Sequence, residues 1–498
     1  MGVITRTGVL IIGTGFSGIG MGIALQKQGI DFLILEKKFE IGGTWRDNTY
    51  PGCACDIPSH LYSFSFEQNA NWSKLWPPQS EIQEYLLGVV RKYKLRRNIK
   101  FGCTVTRAWW DDQAMEWHVQ TTDGEEFVAQ FVVSGAGALH IPSIPEFDGL
   151  GEFTGTKFHS AEWDHSVDLR ASVAVIGTGA SAIQIVPSII DDVAELKLFQ
   201  RTPPWVMPWS NWKVPEGVKR MFARFPITQK AFRAGIFWAH EYVGYAMSRR
   251  PELLKIAEML GKWNIRRSVK DPVLRRKLTP NFSFGCKRVL KGGKKKGIDY
   301  YGALAEAKSE VITDPIKRIE PKGIVTSDGE LHEVDVIVFA TGFHVTDSYQ
   351  YMQIIGQQGE DLKAQADAVG VIAHRGIMFA DVPNLFLLLG PNTGLGHNSI
   401  VVMIEAQIRY VIQAIKAVQK SGNRALFPTW GAQNHYNAKL QRKLEGTVWN
   451  SGCNSWYFDE HGNNRTLWSG TAWRYVQSVR KLRQQEFVFF KSGPYSSR

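Results

Sequence analysis

Uninterrupted apolar runs alternate with longer mixed segments near the start of the chain. The run GVLIIG (8–13) is followed by a glycine-rich turn, a helical pattern that extends to about Gln28, and a second run, DFLILE, that ends at Glu36. Continuous apolar runs of this length are typical of parallel strands that are covered on both faces. The pattern therefore predicts a strand–helix–strand unit built on a buried parallel sheet.

The same alternation recurs in the middle of the chain. The runs SVAVIG (172–177) and ELKLFQ (195–200) again flank a glycine-containing turn and a helical pattern. Two such units predict an α/β protein with two Rossmann-like dinucleotide-binding domains. We expect the first domain at 1–150, a linker at 151–170, the second domain at 171–340, and the rest of the first domain with a C-terminal region at 341–498.

The segment from about 204 to 280 departs from this alternation. Its stretches QKAFRAGIFWAHEYVGYAM (229–247) and ELLKIAEMLGKW (252–263) have helical periodicity, which predicts a helical insertion in the second domain. An apolar stripe at helical spacing usually packs into a core, so we expect a buried stripe, with a membrane-facing surface as the alternative. Further on, EVDVIVFATGF (333–343) and NLFLLLGPNTGLGHN (384–398) predict two more buried strands.

The turns of both units have the spacing that a dinucleotide requires. In G-x-G-x-x-G, the glycines allow a tight turn, close approach of the backbone to a pyrophosphate, and close packing of the helix. The N-terminus of the helix then favours the negative charge of the phosphates. The first turn has Gly13, Gly15 and Gly18, and the second has Gly177, Gly179 and Ala182.

The residue at the end of each second strand separates the two units. Glu36 lies 23 residues after the first glycine of its turn, where a carboxylate accepts hydrogen bonds from ribose hydroxyls. At the same spacing the second unit has Gln200, followed by Arg201 and Thr202. A carboxylate repels a ribose 2′-phosphate, whereas an arginine and a hydroxyl bind it. The first site is therefore predicted to bind FAD or NAD, and the second NADP.

Composition narrows the class of partner. The chain has 498 residues and a net charge of +12. The densest basic run, KRVLKGGKKKG (287–297), has no interleaved aromatic residues, and no nucleic-acid-binding motif accompanies it. We therefore expect no nucleic-acid partner, and we interpret the charge as suited to anionic small molecules such as dinucleotides.

Cysteine content and targeting signals predict a location. Five cysteines in a chain of this length argue against a disulfide framework, so we expect small buried thiols and a reducing, cytoplasmic compartment. The sequence contains no run of 18 apolar residues, so we expect no transmembrane helix. The N-terminal sequence resembles neither a signal peptide nor a myristoylation motif.

Two further motifs make the comparison with a known family specific. GGTWRDNTYPGCACD (42–56) matches the pattern [AG]GxWxxxx[FY]P[GM]xxxD at every position. FTGTKFHSAEWD (153–164) matches FxGxxxHxxxW[PD]. In these motifs the chain resembles the type I Baeyer–Villiger monooxygenases, and with GCKR, ATGF and GPNTGLGHNS the resemblance covers nearly the whole chain. The lysine-rich segment 291–296 is longer and more basic than the family pattern.

The resemblance implies a reaction and its cofactors. NADPH would reduce FAD, and the reduced flavin would trap dioxygen as a flavin peroxide that attacks a ketone and yields an ester or lactone. Thioethers are a possible second substrate class. An S- or N-oxygenating flavin monooxygenase is the alternative enzyme, and a silent NADPH-binding redox sensor is the alternative from another class.

The resemblance also implies roles for individual residues. Arg288 would be the catalytic arginine, and Asp56 would position it and tune its charge. Lys287 would join Arg201 and Thr202 on the 2′-phosphate, and Trp456 would close over NADP. The candidate flavin-site residues are Gly13, Gly15, Ser17, Gly18, Glu36, Thr44, Trp45, Asp56, Tyr62 and Val105. The candidate NADP-site residues are Gly177, Thr178, Gly179, Ser181, Ala182, Gln200, Arg201, Thr202, Lys287 and Trp456.

The segment FTGTKFHSAEWD also contains residues of metal-ligand and acid–base type. Because His159 and His165 have no cysteine nearby, we expect no metal site here. We instead expect a structured hinge between the two domains, held by His159 and Trp163, with a plain packed linker as the alternative. The identity of the ketone and the oligomeric state cannot be deduced from the sequence.

Overall fold

The computed structural model describes residues 4–208, 211–291, 297–345, 351–453, 455–459 and 461–492. Most of the lysine-rich segment noted in the sequence, 292–296, lies outside the described residues. The strands are β1 Thr5–Ile12, β2 Phe32–Glu36, β3 Ile99–Phe101, β4 Val105–Asp111, β5 Glu116–Thr121, β6 Glu126–Ser134, β7 Thr156–His159, β8 Ser172–Ile176, β9 Glu195–Phe199, β10 Val206–Met207, β11 Leu290–Lys291, β12 Ser309–Ile312, β13 Ile316–Glu320, β14 Gly323–Thr326, β15 Leu331–Glu333, β16 Val336–Phe339, β17 Gln353–Ile355, β18 Leu385–Leu387, β19 Ala425–Pro428 and β20 Phe487–Phe490. The helices are α1 Phe16–Lys27, α2 Thr44–Asp47, α3 Gln79–Lys92, α4 Ala180–Ile189, α5 Glu216–Arg224, α6 Pro226–Arg249, α7 Lys255–Ser268, α8 Pro272–Leu278, α9 Tyr300–Leu304, α10 Leu362–Val369, α11 Ile400–Ser421, α12 Trp430–Leu444 and α13 Ala472–Ser478.

The first sheet contains both predicted apolar strands of the N-terminal unit. Its order is β17-β4-β5-β6-β1-β2-β3, and β18 pairs with β6. The strands β3, β2, β1, β6 and β18 pair in parallel, whereas β4, β5 and β6 form an antiparallel meander. A Cβ on Gly20 of α1 would lie 2.8 Å from Ile408 Cδ1, so this glycine allows α1 to pack closely against α11. The C-terminal helices thus complete the core of the first unit.

The second sheet is entirely parallel, with the order β12-β9-β8-β16-β7. Its central strands β8 and β16 are buried, as their apolar runs predict. Strand β7 pairs with β16, with His159 opposite Phe339. The segment expected to be a linker therefore includes an edge strand of the second sheet. This strand was not predicted because its sequence is short and is flanked by polar residues.

The predicted helical insertion is confirmed, but the expected burial of its apolar stripe is wrong. Helices α5 to α8 occupy the segment 216–278. On α6 the side chains of Trp238 and Tyr242 are 53% and 63% exposed, and on α7 those of Ile256 and Met259 are 67% and 62% exposed. Periodicity predicts that one face of a helix is apolar, but it does not determine whether that face meets the core or the solvent.

Within the part of the chain that the structure describes, no helix combines the length and the apolar composition needed to cross a bilayer.

Candidate active site

A large cavity lies where the two sheets meet. Its volume is about 1430 Å³, and glycine turns from both units open into it. Of the residues predicted from the sequence, only Gly18 and Ala182 do not line it, because both face the packed side of their helices. The structure thus brings both predicted cofactor sites and the predicted catalytic pair to one place.

The first glycine turn has the geometry that the motif predicts. Gly13 has a φ of +94°, and a Cβ on Gly18 would lie 1.8 Å from the carbonyl oxygen of Gly13, so α1 begins in close contact with the strand before it. A Cβ on Gly15 would meet nothing within 4 Å. This glycine opens onto the cavity at the N-terminus of α1, where backbone N–H groups can bind a phosphate.

Glu36 lies at the end of β2 and is buried among donors. Its Oε2 accepts hydrogen bonds from the N–H and Oγ1 of Thr14 at 3.0 and 2.5 Å. Its Oε1 accepts from the Lys38 N–H at 3.0 Å and from the Arg46 guanidinium at 2.9 Å. These contacts orient the carboxylate at the edge of the cavity, 3% exposed as a residue.

The second glycine turn repeats this backbone. Gly177 has a φ of +111°, and a Cβ there would lie 2.4 Å from the Ala340 carbonyl oxygen. A Cβ on Gly179 would again meet nothing within 4 Å. Thr178 donates from Oγ1 to the Thr202 carbonyl at 2.8 Å, which ties the turn to the segment after β9.

The second unit offers neutral and basic groups where the first offers an acid. Gln200 is buried and donates from Nε2 to the Lys277 carbonyl at 2.8 Å, whereas its Oε1 has no hydrogen-bond partner among the described residues. Arg201 is exposed at the rim of the cavity. Burial lowers the pKa of Lys287, and the neighbouring charge of Arg201 lowers it further. Two neighbouring cations at the cavity are suited to binding an anion.

Asp56 and Arg288 form a bidentate ion pair between the two turns. Arg288 donates from Nε to Oδ2 at 2.9 Å, and from one terminal nitrogen to Oδ1 and Oδ2 at 2.6 and 2.7 Å. Burial would raise the pKa of Asp56, but the Arg288 guanidinium outweighs it and holds that pKa below its usual range. The charge of Asp56 in turn raises the pKa of Arg288. Both groups therefore stay ionised, and the planar guanidinium is fixed in the cavity.

Aromatic side chains flank the ion pair. Trp45 donates from its indole N–H to the Tyr62 hydroxyl at 3.2 Å, and the two rings meet edge to face at 5.5 Å. On the other side, the Trp456 ring lies 4.7 Å from that of Tyr457 and is 52% exposed. The cavity is lined by Thr44, Trp45, Tyr62, Val105 and Trp456.

The expectation of thiols is wrong for two of the five cysteines. Cys286, directly before the Lys287–Arg288 pair, is disulfide-bonded to Cys453, and their Cα atoms are 6.2 Å apart. Cys55 and Cys103 are buried thiols, as expected, and Cys53 is partly buried. Burial raises the pKa of Cys53 to about 12, so this thiol is not ionised at neutral pH. Pairing across 167 residues leaves no local signal in a sequence.

Sequence reasoning missed Lys291, which lies near the ion pair. It follows Leu290 on β11 and lines the cavity. Burial lowers the pKa of Lys291 to about 8, with Asp56 opposing and Arg288 adding to the effect. A lysine in a dense basic run resembles a solvated residue, whereas in the fold Lys291 lines the cavity and its Nζ lies 5.3 Å over the Trp76 ring.

A second group that sequence reasoning missed joins the two units. Gln184 on α4 accepts from the Tyr50 hydroxyl at 3.0 Å and donates to the Ala54 carbonyl at 2.9 Å. A Cβ on Gly52 would lie 2.6 Å from the Gln184 carbonyl oxygen. The Tyr-Pro-Gly part of the first-unit motif is therefore the surface that contacts the second unit. The motif spacing alone contains no sign of this contact.

His159 and Trp163 are buried at the connections between the two units. His159 accepts at Nδ1 from the Ala161 N–H at 3.1 Å, and its ring lies 5.4 Å from Phe343, edge to face. Burial lowers the pKa of His159 to about 4, with the backbone of Gly342 acting in the opposite direction. The ring is thus neutral at pH 7. Within the described residues, no group of three or more His, Cys, Asp or Glu side chains is placed to hold a metal ion.

Known proteins resemble this chain in sequence and in fold. The family model described as pyridine nucleotide-disulphide oxidoreductase matches residues 10–222. A Baeyer–Villiger monooxygenase of Pseudomonas aeruginosa is 45% identical over 95% of this chain and 90% of its own. A Baeyer–Villiger monooxygenase of Streptomyces coelicolor is 41% identical over 98% of this chain and 93% of its own.

The chain belongs to the Baeyer–Villiger monooxygenase family. Solved structures agree: a closed cyclohexanone monooxygenase has a TM-score of 0.88 at 28% identity, covering 98% of this chain and all of its own. An oxidized steroid monooxygenase bound to NADP has a TM-score of 0.87 at 28% identity and the same coverage.

Family membership confirms several expectations from the sequence. The α/β fold with two dinucleotide-binding units is confirmed, as are the monooxygenase class and the cofactor pair FAD and NADP(H). The two relatives from Pseudomonas aeruginosa and Streptomyces coelicolor are named for Baeyer–Villiger oxidation.

Proposed function

We propose that this enzyme binds FAD at the first glycine turn and NADPH at the second, and that it converts a ketone and O₂ into an ester or lactone beside the Asp56–Arg288 pair. The observation that carries this proposal is the meeting of both turns and the ion pair in one cavity. When bound, the flavin supplies the activation of dioxygen. The residues of this chain supply binding, orientation and charge.

The first turn fits FAD through open space and a prepared acid. Gly15 leaves room for a pyrophosphate at the N-terminus of α1. A carboxylate accepts about four hydrogen bonds, and Thr14, Lys38 and Arg46 already supply that number to Glu36. A ribose hydroxyl would therefore take the place of one of these donors. Trp45 and Tyr62 would flank the flavin.

The second turn fits NADPH through its charges. Gly179 leaves the same open space as Gly15. The unpartnered Oε1 of Gln200 can accept from a ribose hydroxyl without repelling a phosphate. Arg201 and Lys287 supply two positive charges to the 2′-phosphate, with Thr202 beside them. Trp456 would pack over the bound nucleotide.

Arg288 acts by holding positive charge where negative charge develops. The bidentate contact with Asp56 fixes the guanidinium plane, so no reorganisation is needed as the carbonyl oxygen of the ketone gains charge. A permanently charged arginine cannot donate a proton to that oxygen. The aromatic walls of Trp45, Tyr62 and Tyr457 exclude water and strengthen this interaction.

The test is the variant Arg288→Ala, assayed for ester formation and NADPH consumption. Removing one such stabilising group costs about 100- to 1000-fold in rate. The variant should lose ester formation while retaining bound FAD. The matched control is Arg170→Ala, because Arg170 is paired with Asp168 on the surface. Ester formation at the wild-type rate by Arg288→Ala would disprove the assigned role. A thioether offered in parallel tests the second substrate class.

The segment with His159 and Trp163 acts as the joint between the two units. The connections 134–145 and 340–344 run together, with Pro142 bridged to Phe343, and the His159 ring packs on Phe343. Sheet membership supports domain boundaries near 150 and 340, and it assigns β7 to the second domain. His159→Ala should change the rate of flavin reduction by NADPH. If reduction and ester yield were both unchanged, this segment would be a plain packed linker.

We place the enzyme in the cytoplasm. Its reactants there would be a ketone and O₂. The low cysteine content and the three thiols support this location, whereas the Cys286–Cys453 disulfide argues against a reducing compartment. Cell fractionation with thiol alkylation would test both the location and the redox state of Cys286 and Cys453.

A further inference from the structure

The helical insertion carries a cluster of large apolar side chains on its outer surface. On α6, Phe232, Trp238, Tyr242, Val243 and Tyr245 are 40–63% exposed. On α7, Ile256, Met259, Leu260 and Trp263 are 47–67% exposed. We call these nine residues the outer apolar surface.

Few charges interrupt this surface. On α6, Arg233 and Glu241 turn inward: Arg233 donates to the His60 carbonyl, and Glu241 accepts from the Ala472 and Trp473 N–H groups. On α7, Lys262 is the partly exposed exception, and its charge is paired with that of Glu258. An apolar stripe with this spacing, turned to solvent, is the pattern of a helix that lies in an interface.

Positive charge surrounds the outer apolar surface. Residues 211–280 include 16 lysines and arginines against 5 acids, a net charge of +11 out of +12 for the whole chain. Lys230 precedes the apolar part of α6 and Arg249 follows it, while Arg267 lies 5.0 Å over the Trp263 ring. The charge of the protein is therefore concentrated where its exposed apolar residues are.

We propose that the helical insertion binds the surface of an anionic lipid bilayer, with the outer apolar surface inserted at the level of the headgroups. The charge favours an anionic bilayer over a second copy of the chain, because a dimer would place two insertions with a net charge of +11 each against one another. Each lysine or arginine near an anionic surface strengthens binding about fivefold. In the described residues no helix spans a bilayer, so the contact lies on one leaflet.

The experiment is flotation of the holoenzyme with vesicles of phosphatidylcholine alone and of an equimolar mixture with phosphatidylglycerol. The wild type should float with the mixture, should float much less with phosphatidylcholine, and should be released by high salt. The double variant Ile256→Ser/Trp263→Ser should bind the mixture at least about tenfold more weakly. Lys255→Glu/Arg266→Glu should weaken binding at least about 25-fold, since two cations are lost at about fivefold each.

The control variant is Phe39→Ser, because Phe39 is 82% exposed but lies outside the insertion. It should float like the wild type, and all variants should oxidise a water-soluble ketone at the wild-type rate. Equal flotation of the wild type and both double variants would overturn the proposal. So would an absence of vesicle binding together with a dimer, seen by light scattering, that Ile256→Ser/Trp263→Ser dissociates. That outcome would identify a second copy as the partner.

Discussion

The two glycine turns have nearly identical backbone conformations, but the side chains that accompany them are acidic in one unit and basic in the other. Gly15 has φ and ψ of −75° and −169°, and Gly179 has −77° and −167°. The strand after the first turn ends in a buried carboxylate, Glu36, whereas Gln200 follows the strand after the second and is succeeded by Arg201. We therefore propose that the backbone of each turn binds phosphate, and that one side chain 23 residues later selects the ribose.

The two sites also differ in how they are held. Glu36 accepts four hydrogen bonds from its own unit and is nearly inaccessible. The basic groups of the second site are partly exposed, and the disulfide of Cys286 ties their segment to the C-terminal region. A prebuilt, enclosed site suits a cofactor that stays bound, whereas an accessible one suits a cofactor that exchanges.

The largest effect is expected from removing the charge of the first site. Glu36→Gln removes the carboxylate that would accept from the ribose, and a hydrogen bond to a charged group contributes about 1.5–3 kcal/mol. Arg46 keeps its two-bond contact with Asp47, so the fold should survive the change. Affinity for FAD should fall by up to about 100-fold. The measurement is the flavin content of the purified protein, with FAD titrated back by fluorescence. Gln200→Ala is the comparison variant and should retain its flavin; full flavin content in Glu36→Gln would refute the assignment of this site.

Breaking the disulfide should affect the second site and leave the first intact. Cys453→Ser should lower the free energy of unfolding by about 2–4 kcal/mol, because the bond closes a loop of 167 residues. It should also raise the KM for NADPH while FAD content stays constant. Urea denaturation and steady-state kinetics check both points. Wild-type enzyme treated with a reductant is the control and should match the variant; a loss of FAD instead would show that the bond supports the first site.

The repeated strand–helix–strand units were predictable because each signal is local. Gly13 and Gly177 both adopt the positive φ that their motifs require. The pairing of Cys286 with Cys453 and the outward face of α7 were not predictable, because each depends on residues far away in sequence. The contact of Gln184 with Tyr50 is of the same kind. Local patterns thus predict elements and turns, and packing decides which surfaces meet.

The smallest expected effect is a pH dependence of ester formation that arises from Lys291, which lies in neither glycine turn. With its pKa lowered to about 8, Lys291 is charged at pH 7 and neutral at pH 9. Above pH 8 the unfolded chain would still hold this proton, so the free energy of unfolding should rise with pH through this range. Ester formation should fall about tenfold, the contribution of one charge-assisted hydrogen bond.

The control for this dependence is Lys291→Arg, which keeps its charge at every pH tested. Its rate of ester formation should stay level between pH 7 and pH 9. The measurement is kcat/KM for the ketone across that range, with NADPH saturating. If the alkaline decrease persisted in Lys291→Arg, another group would be responsible.

The central claim is that the two turns divide the cofactors by charge. Its most direct test is anaerobic reduction of the bound flavin by NADPH and by NADH, in the wild type and in Arg201→Ala/Lys287→Ala. The wild type should be reduced far faster by subsaturating NADPH, and the variant should lose about 100-fold of that preference while keeping its FAD. An unchanged preference for NADPH in the variant, or loss of its FAD, would contradict the account.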